Sequence, residues 1–148
     1  VSDGRSAGDH ISLAYQPEAM RWRTTTVLTN TPSRGAQRAP GGLQGIALME
    51  PLLAKAAAKL GVDQVAIHRI NAPAGKATFG GPNARGVRNH VTSAFAREAL
   101  DTGAALFGWE ARKATGGQRR GSKVRGVGVA LSTYSAGSIG FDGLLVIK

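Results

Sequence analysis

Two stretches rich in glycine and proline limit the length of the elements that this chain can form. Residues 29–45, "TNTPSRGAQRAPGGLQG", and residues 72–88, "APAGKATFGGPNARGVR", each carry two prolines and four glycines. Proline removes a backbone N–H, and glycine favours turns over regular structure. Long helices or strands therefore cannot cross either stretch. The 148 residues are enough for one compact domain built from short elements.

The segment between these stretches predicts two helices. A helix over residues 43–60 follows from apolar residues that recur with a period near 3.6. They are Ile46, Met49, Leu53, Ala57 and Leu60. Gly61 is a natural C-terminal stop, and Pro51 is expected to kink or split the helix. Asp63 is expected to cap a short second helix over residues 64–70.

The remaining segments predict strands, one further helix and a surface loop. β-Branched residues indicate a strand over residues 20–30. Residues 72–88 show no regular period and are expected to form a surface excursion. A third helix is predicted over residues 92–111. Residues 124–134 and 139–148 are expected to form two strands, with Asp-Gly as a turn signal inside the second.

This order of elements predicts an α+β fold with a mixed sheet and three helices. Residues 1–19 show no sustained period and are expected to be an extended lead-in or linker. The chain begins with Val1 rather than Met, and "GLLVIK" ends it within a strand-like run. We therefore expect a segment of a larger protein. No apolar run approaches the roughly 18 residues that a membrane span requires.

The chain has a formal net charge of +10, and the excess is concentrated. Residues 112–125, "RKATGGQRRGSKVR", carry six cations and no acid. Such a run can bind a polyanion, or it can form a solvated surface loop or meet an acidic partner. No aromatic residues interleave to stack on bases, which argues against nucleic acid.

Metal ligands are scarce. The absence of cysteine excludes a disulfide framework, a thiolate zinc site and iron–sulfur clusters ligated by this chain. The histidines at 10, 68 and 90 lack ligand spacing, so no protein-held metal site is predicted. His68 and His90 lie in unrelated segments and give no Ser–His–acid grouping. Glu50 lies within the first predicted helix, where we interpret it as a hydrogen-bonding residue.

The loop before the first predicted helix has the composition of an anion site. A loop of small residues leaves free N–H groups at the positive end of the helix dipole. Arg38 adds a permanently charged donor. The stretch lacks the Lys-Ser/Thr of a nucleotide P-loop and the spacing of a dinucleotide fingerprint. A purely structural turn and a ligand-binding loop both remain open on composition alone.

Four motifs resemble the molybdenum-cofactor-binding large subunit of the xanthine dehydrogenase and aldehyde oxidase family. In order, they are "LTNTPSRGAQRAPGGLQGIALME", "AAAKLGVDQVAIHRIN", "ALDTGAALFGWEAR" and the pair "RGVGVALSTY" and "FDGLLVIK". The likeness covers about residues 14–148 and is strongest to the bacterial aldehyde and isoquinoline oxidoreductases. It implies that residues 20–148 are part of the molybdopterin-binding domain.

The resemblance also implies site residues. In the family, the matching loop passes beside the molybdenum and its pterin dithiolene. Arg38 is then expected to contact the cofactor and help orient the substrate, as a catalytic residue. The cofactor-binding positions implied are Gln37, Arg38, Ala39, Gly41 and Gly42. Pro40 stands where many members carry Phe against an aromatic substrate, which implies a less aromatic substrate site and argues against purines.

The implied reaction is hydroxylation of an aldehyde or N-heterocycle with water as the oxygen source. Implied partners are the rest of the large subunit, a small-molecule substrate and an iron–sulfur subunit, with a FAD subunit left open. The family's general base is a glutamate far towards the C-terminus of the whole subunit. Glu50, Glu98 and Glu110 are therefore not assigned that role, and the isolated chain is expected to be inactive.

Overall fold

The chain folds as α+β, as the sequence predicts. The computed structural model describes residues 3–32 and 38–134. Within them it contains five helices: α1 (Asp3–Ala14), α2 (Gly42–Leu60), α3 (Gln64–Asn71), α4 (Ala96–Phe107) and α5 (Trp109–Ala114). Four strands form two antiparallel pairs: β1 (Gly75–Phe79) with β2 (Asn89–Ala94), and β3 (Arg119–Arg120) with β4 (Lys123–Val124). Both sheets in this part of the chain are antiparallel pairs rather than the mixed sheet that the sequence predicts. The three predicted helices are present as α2, α3 and α4, and α1 and α5 add to them.

Helix α1 corrects the prediction for residues 1–19. Residues 3–14 are helical rather than extended, and most of the second half of the helix is buried. Its apolar residues Ala7, Ile11 and Ala14 are spaced like one face of a helix, a signal that the surrounding polar residues obscure. That face packs against α2, so α1 belongs to the core.

Close approach of α1 and α2 depends on glycine. A Cβ atom on Gly41 would lie 1.9 Å from the carbonyl oxygen of Asp3. A Cβ atom on Gly45 would lie 3.0 Å from the carbonyl oxygen of Ala7. Glycine at both positions therefore lets the start of α2 lie against the backbone of α1.

Helix α2 runs without interruption through Pro51. The split expected at this residue is wrong, because Pro51 lies on an exposed face where the carbonyl that loses its partner can meet water. The predicted stop at Gly61 is confirmed. Gly61 adopts the left-handed conformation, and its N–H turns back to the last carbonyls of the helix.

Asp63 caps α3 as predicted. Its carboxylate accepts hydrogen bonds from the backbone N–H of Val65 at 2.9 Å and of Ala66 at 3.2 Å. The other carboxylate oxygen accepts from Trp109 Nε1 and Lys113 Nζ, each at 2.9 Å. One N-cap residue thus also attaches α5 to α3.

The stretch expected as an irregular excursion contains β1. Its partner β2 occupies the start of the predicted third helix, so α4 begins at Ala96 rather than at Thr92. The amide of Gln16 exchanges hydrogen bonds with the backbone of Thr78, which fixes β1 beside the end of α1. Local composition hid this strand, because its partners are distant in sequence.

Residues 20–30 do not form the predicted strand. They are exposed and pair with no strand in the described ranges. Trp22 instead lies against Gly8 of α1 and donates its indole N–H to the carbonyl of Gly4 at 2.8 Å. Of the strand predicted over residues 124–134, only Val124 is in β4. The strand predicted over residues 139–148 lies outside the described residues.

Replacing Gly41 with alanine tests the helix contact. The added Cβ atom collides with the Asp3 carbonyl and is strained at φ 79°. We expect Gly41→Ala to lower the free energy of unfolding by about 3 kcal/mol or more. Gly61→Ala is the control, because its φ of 64° is similar but nothing lies within 4 Å. It should cost only about 1 kcal/mol in denaturant unfolding. Equal losses would contradict a role for Gly41 in packing.

Candidate functional site

The loop that carries Arg38 leads directly into the N-terminus of α2. Arg38 is exposed, Pro40 is half-buried, and Ala39 has a positive φ of 44°. The N–H of Gly42 donates to the carbonyl of Ala39 at 3.0 Å, which closes the turn. No side chain in the described ranges caps the start of α2. The N–H groups of Gly42 and Gly45 donate to the carbonyls of Ala39 and Gly41, whereas those of Leu43 and Gln44 have no backbone partner among the described residues and can act as donors.

Arg38 can meet an anionic group from outside the described part of the chain. Within residues 3–32 and 38–134, its guanidinium makes no hydrogen bond and no ion pair. A guanidinium and a helix N-terminus both donate hydrogen bonds and both favour negative charge. Together they form a set of hydrogen-bond donors suited to a negatively charged group.

The glycines of the loop have a structural explanation. The Cα of Gly41 faces the Asp3 carbonyl, and that of Gly42 faces the ring of His10. Their small size is thus already required by α1. Because the N–H of Gly42 already donates to the Ala39 carbonyl, a bound group can meet the N–H of Gly41 but not the sides that α1 covers. Cofactor binding by Arg38, Ala39, Gly41 and Gly42, and a substrate contact by Pro40, stay predictions. Gln37 lies outside the described residues.

A buried network centres on Glu50 of α2. His68 Nε2 of α3 lies 2.8 Å from Glu50 Oε2, and the N–H of Leu131 donates to the same oxygen at 3.1 Å. The hydroxyl of Tyr15, just after α1, donates to Glu50 Oε1. His68 is fully buried and Glu50 is 9% exposed. One carboxylate therefore connects four segments, which agrees with our interpretation of Glu50 as a hydrogen-bonding residue.

The hydrogen bonds of His68 indicate its charge. Its Nδ1 lies 2.6 Å from the Gln64 carbonyl, which can only accept, so Nδ1 carries a proton. Nε2 faces the carboxylate of Glu50, whose two oxygens also accept from Tyr15 and Leu131. Both nitrogens of His68 are then donors, and the pair is an imidazolium and a carboxylate.

The pKa shifts agree with this assignment. Burial opposes the charge on Glu50, but hydrogen bonds from His68, Tyr15 and the Leu131 N–H outweigh it and lower its pKa. Burial likewise opposes the charge on His68, but the Glu50 carboxylate and the Gln64 carbonyl raise its pKa. The pKa of Tyr15 is strongly raised. Burial is the main cause, and the hydrogen bond to Glu50 and repulsion from its carboxylate add to it.

Sequence reasoning missed the Glu50–His68 pair. The two residues are 18 positions apart on separate helices, and Tyr15 is 35 positions before Glu50. A helix spacing of three or four residues would have been recognisable, whereas this contact arises only when α1, α2 and α3 pack together. His90 is exposed on β2 opposite Thr78 and lies apart from the pair.

The six cations of residues 112–125 fall into two groups, one that contacts other side chains and one on the protein surface. Arg112 lies over the ring of Phe107, and Lys113 forms ion pairs with Asp63 and Glu110. The other four cations lie on or next to the exposed β3–β4 hairpin: Arg119, Arg120, Lys123 and Arg125. Three of these line a cavity of about 470 Å³ together with Thr115 and Gln118.

A further cavity lies away from the Arg38 loop. It measures about 600 Å³ and is bordered by α1, the segment after it and the end of β1. Its lining mixes acids and bases, including Asp9, Glu18 and Arg88. A lining with charges of both signs does not indicate which class of ligand would bind there. Among the described residues, no three His, Asp or Glu side chains are grouped to hold a metal ion. No helix there is long and apolar enough to span a membrane.

Comparison with known families identifies the fold that carries this loop. Residues 4–72 match the model of the molybdopterin cofactor-binding domain, a match that includes α1, the Arg38 loop, α2 and α3. The xanthine dehydrogenase molybdenum-binding subunit of Escherichia coli O157:H7 is 34% identical over 145 aligned positions, which cover 92% of this chain. The chain belongs to the xanthine dehydrogenase and aldehyde oxidase family. The family resemblance of the four motifs is thereby confirmed.

A second relative supports the same assignment. A protein of Escherichia coli strain K12, whose name assigns it provisionally to the same kind of subunit and calls it XdhA, is 34% identical over 131 positions. That alignment covers 88% of this chain. The chain spans only 17% and 18% of the lengths of the two relatives. No solved structure matches the chain significantly.

The charged Glu50–His68 pair predicts how stability depends on pH. The lowered pKa of Glu50 gives stability that is lost as pH falls below its ordinary value of 4.5. The raised pKa of His68 gives stability that is complete below pH 6.5, its ordinary pKa. This stability is lost as pH rises through the higher pKa of His68 in the folded protein. We expect this contribution to be greatest between about pH 4.5 and 6.5, measured by denaturant unfolding across pH.

Glu50→Gln should abolish the maximum between pH 4.5 and 6.5 and lower the free energy of unfolding there by about 3 kcal/mol, because a protonated His68 would then be buried without a partner. Glu98→Gln, an exposed position on α4, is the matched control and should have little effect. An unchanged pH profile in Glu50→Gln would contradict the charged pair.

Proposed function

We propose that this chain contributes the Arg38 loop to the catalytic site of a molybdenum hydroxylase. The observation that carries the proposal is the exposed Arg38 beside the uncapped start of α2, within the segment that matches the molybdopterin cofactor-binding domain. The family match supports a molybdenum-dependent oxidoreductase, whereas the role of Arg38 rests on the loop's geometry. The assignment of residues 73–148 to the same domain is part of the proposal.

The donors present fit the chemistry of such a cofactor. The molybdenum cofactor carries a phosphate group and oxygen ligands on the metal, and the oxygens of both accept hydrogen bonds. The guanidinium of Arg38 and the N–H groups at the start of α2 are donors that favour negative charge. When bound, the cofactor supplies oxidation of a carbon centre with oxygen from water. Its own sulfurs hold the metal, so this chain need not provide metal ligands.

The role of Arg38 follows from where charge develops during the reaction. Hydroxylation of an aldehyde or N-heterocycle builds negative charge on a substrate oxygen or ring nitrogen. A fixed guanidinium at that point stabilises the developing charge, because it needs little reorganisation. Ala39, Gly41 and Gly42 hold the loop in position, and the N–H of Gly42 does so through its hydrogen bond to the Ala39 carbonyl. Pro40 forms part of the wall beside the substrate, and its lack of an aromatic ring favours aldehydes over purines.

The remaining components are supplied from elsewhere in the assembly. We propose that the general base, the other cofactor loops and the bulk of the substrate site lie in further parts of the large subunit. An iron–sulfur subunit, and in some assemblies a FAD subunit, would carry the electrons away. The relatives are named as molybdenum-binding subunits, which supports a division of labour of this kind.

Metal and polypeptide analysis of native material tests the proposal as a whole. We expect molybdenum, iron and pterin to co-purify with this chain and with further polypeptide, whether covalently continuous or associated. The 148-residue chain alone should show no aldehyde oxidation, because it lacks the base. Native material without molybdenum, or turnover by the isolated chain, would contradict the proposal.

Arg38→Ala in the intact enzyme tests the residue itself. We expect kcat/KM for an aldehyde to fall about a hundredfold, the effect of losing one preorganised donor, with unchanged molybdenum content and unfolding temperature. Arg85→Ala is the matched control, because Arg85 is an exposed loop arginine outside this site. Kinetics as in the wild type would remove Arg38 from the site, whatever the family assignment.

A further inference from the structure

His10 of α1 lies directly beneath the start of α2. Its imidazole is 8% exposed, and a Cβ atom on Gly42 would lie 3.0 Å from three of its ring atoms. The backbone carbonyl of His10 accepts a hydrogen bond from the hydroxyl of Thr133 at 2.9 Å. The ring therefore lies between α1 and the first residue of α2, four positions after Arg38.

The hydrogen bonding of His10 leaves one acceptor without a partner. Its Nδ1 lies 2.8 Å from the carbonyl oxygen of Ser6, so Nδ1 carries the proton in the neutral ring. Nε2 then has a free lone pair. It is fully buried and has no hydrogen-bond partner among the residues that the structure describes. Buried acceptors without partners are rare and costly, and each calls for an explanation.

The two sides of this site are complementary to different groups of one ligand. Arg38 and the first N–H groups of α2 are donors, which suit the phosphate and the oxygens at molybdenum. The pterin ring system carries N–H groups, which require an acceptor. The ring of His10 lies beside the first residue of the same helix, and its Nε2 is a buried acceptor that nothing in the described part of the protein uses.

We propose that His10 is a cofactor-binding residue whose Nε2 accepts a hydrogen bond from an N–H group of the bound pterin. The inference rests on the proposed function, since it requires the cofactor to lie at the Arg38 loop. It adds a second helix, α1, to the binding site and explains why a histidine rather than an apolar residue fills this position. The donor for Nε2 arrives with the ligand.

Two substitutions in the intact enzyme distinguish a hydrogen-bonding role of His10 from a role in which its side chain only fills space. His10→Phe keeps a planar ring but removes the acceptor, whereas His10→Gln can place an oxygen near the position of Nε2. The readout is pterin and molybdenum content after timed dilution, together with the unfolding temperature of cofactor-free protein. We expect His10→Phe to lose cofactor at least about fivefold faster, the effect of one hydrogen bond, and His10→Gln to recover part of the loss.

The cofactor-free protein distinguishes a binding role from a packing role. Because wild-type Nε2 is buried and unpaired there, His10→Phe should leave the unfolding temperature unchanged or raise it. The Ser6 carbonyl keeps its helical backbone bond in either case. His90→Phe, at an exposed histidine on β2, is the control and should match the wild type in cofactor retention.

Each outcome decides between the claims. Wild-type protein that holds no pterin would overturn both the proposed function and this inference. Wild-type protein that holds pterin, with equal retention by His10→Phe, would overturn the role of His10 alone. A fall in the unfolding temperature of cofactor-free His10→Phe, with faster cofactor loss that His10→Gln does not reduce, would show a packing role and overturn the inference.

Discussion

The buried carboxylate of Glu50 is the interaction on which the arrangement of the helices depends. It accepts hydrogen bonds from Tyr15, His68 and the N–H of Leu131, and so joins the end of α1, the middle of α2, α3 and the segment after the hairpin. A buried charge is tolerated only when it is paired and fully hydrogen-bonded. Displacing any of these segments would leave that charge unsatisfied, so the network selects one packing of the helices.

The start of α2 serves packing, and in the proposed function it also serves recognition. Gly41 and Gly45 bring α2 against the backbone of α1, which rigidly fixes the first turn of α2. A rigid first turn holds its free N–H groups in one direction, which is what an anion site requires. Close packing of α1 and α2 also buries His10 at the same place. The loop is therefore both a tight turn and a set of positioned donors.

Local signals were sufficient for some elements and not for others. The period of the apolar residues predicted α2, and Asp63 and Gly61 marked where α3 begins and α2 ends, because caps and helical periods act within a few residues. The same approach failed for α1, whose few apolar residues stand among polar ones. It also failed for residues 20–30, whose β-branched residues pair with no strand in the part of the chain that the structure describes. The strand β1 was missed because pairing with β2, not its own composition, makes it a strand.

The sequence by itself determined the family and the α+β class, and it singled out Arg38 as a candidate. Motif order and helical periods are properties of neighbouring residues and can be read without coordinates. Only the tertiary structure decided that Glu50 pairs with His68, that the loop glycines face α1, and that His10 Nε2 is buried with no partner among the described residues. These facts depend on contacts between segments distant in sequence, and such contacts exist only once the helices have packed.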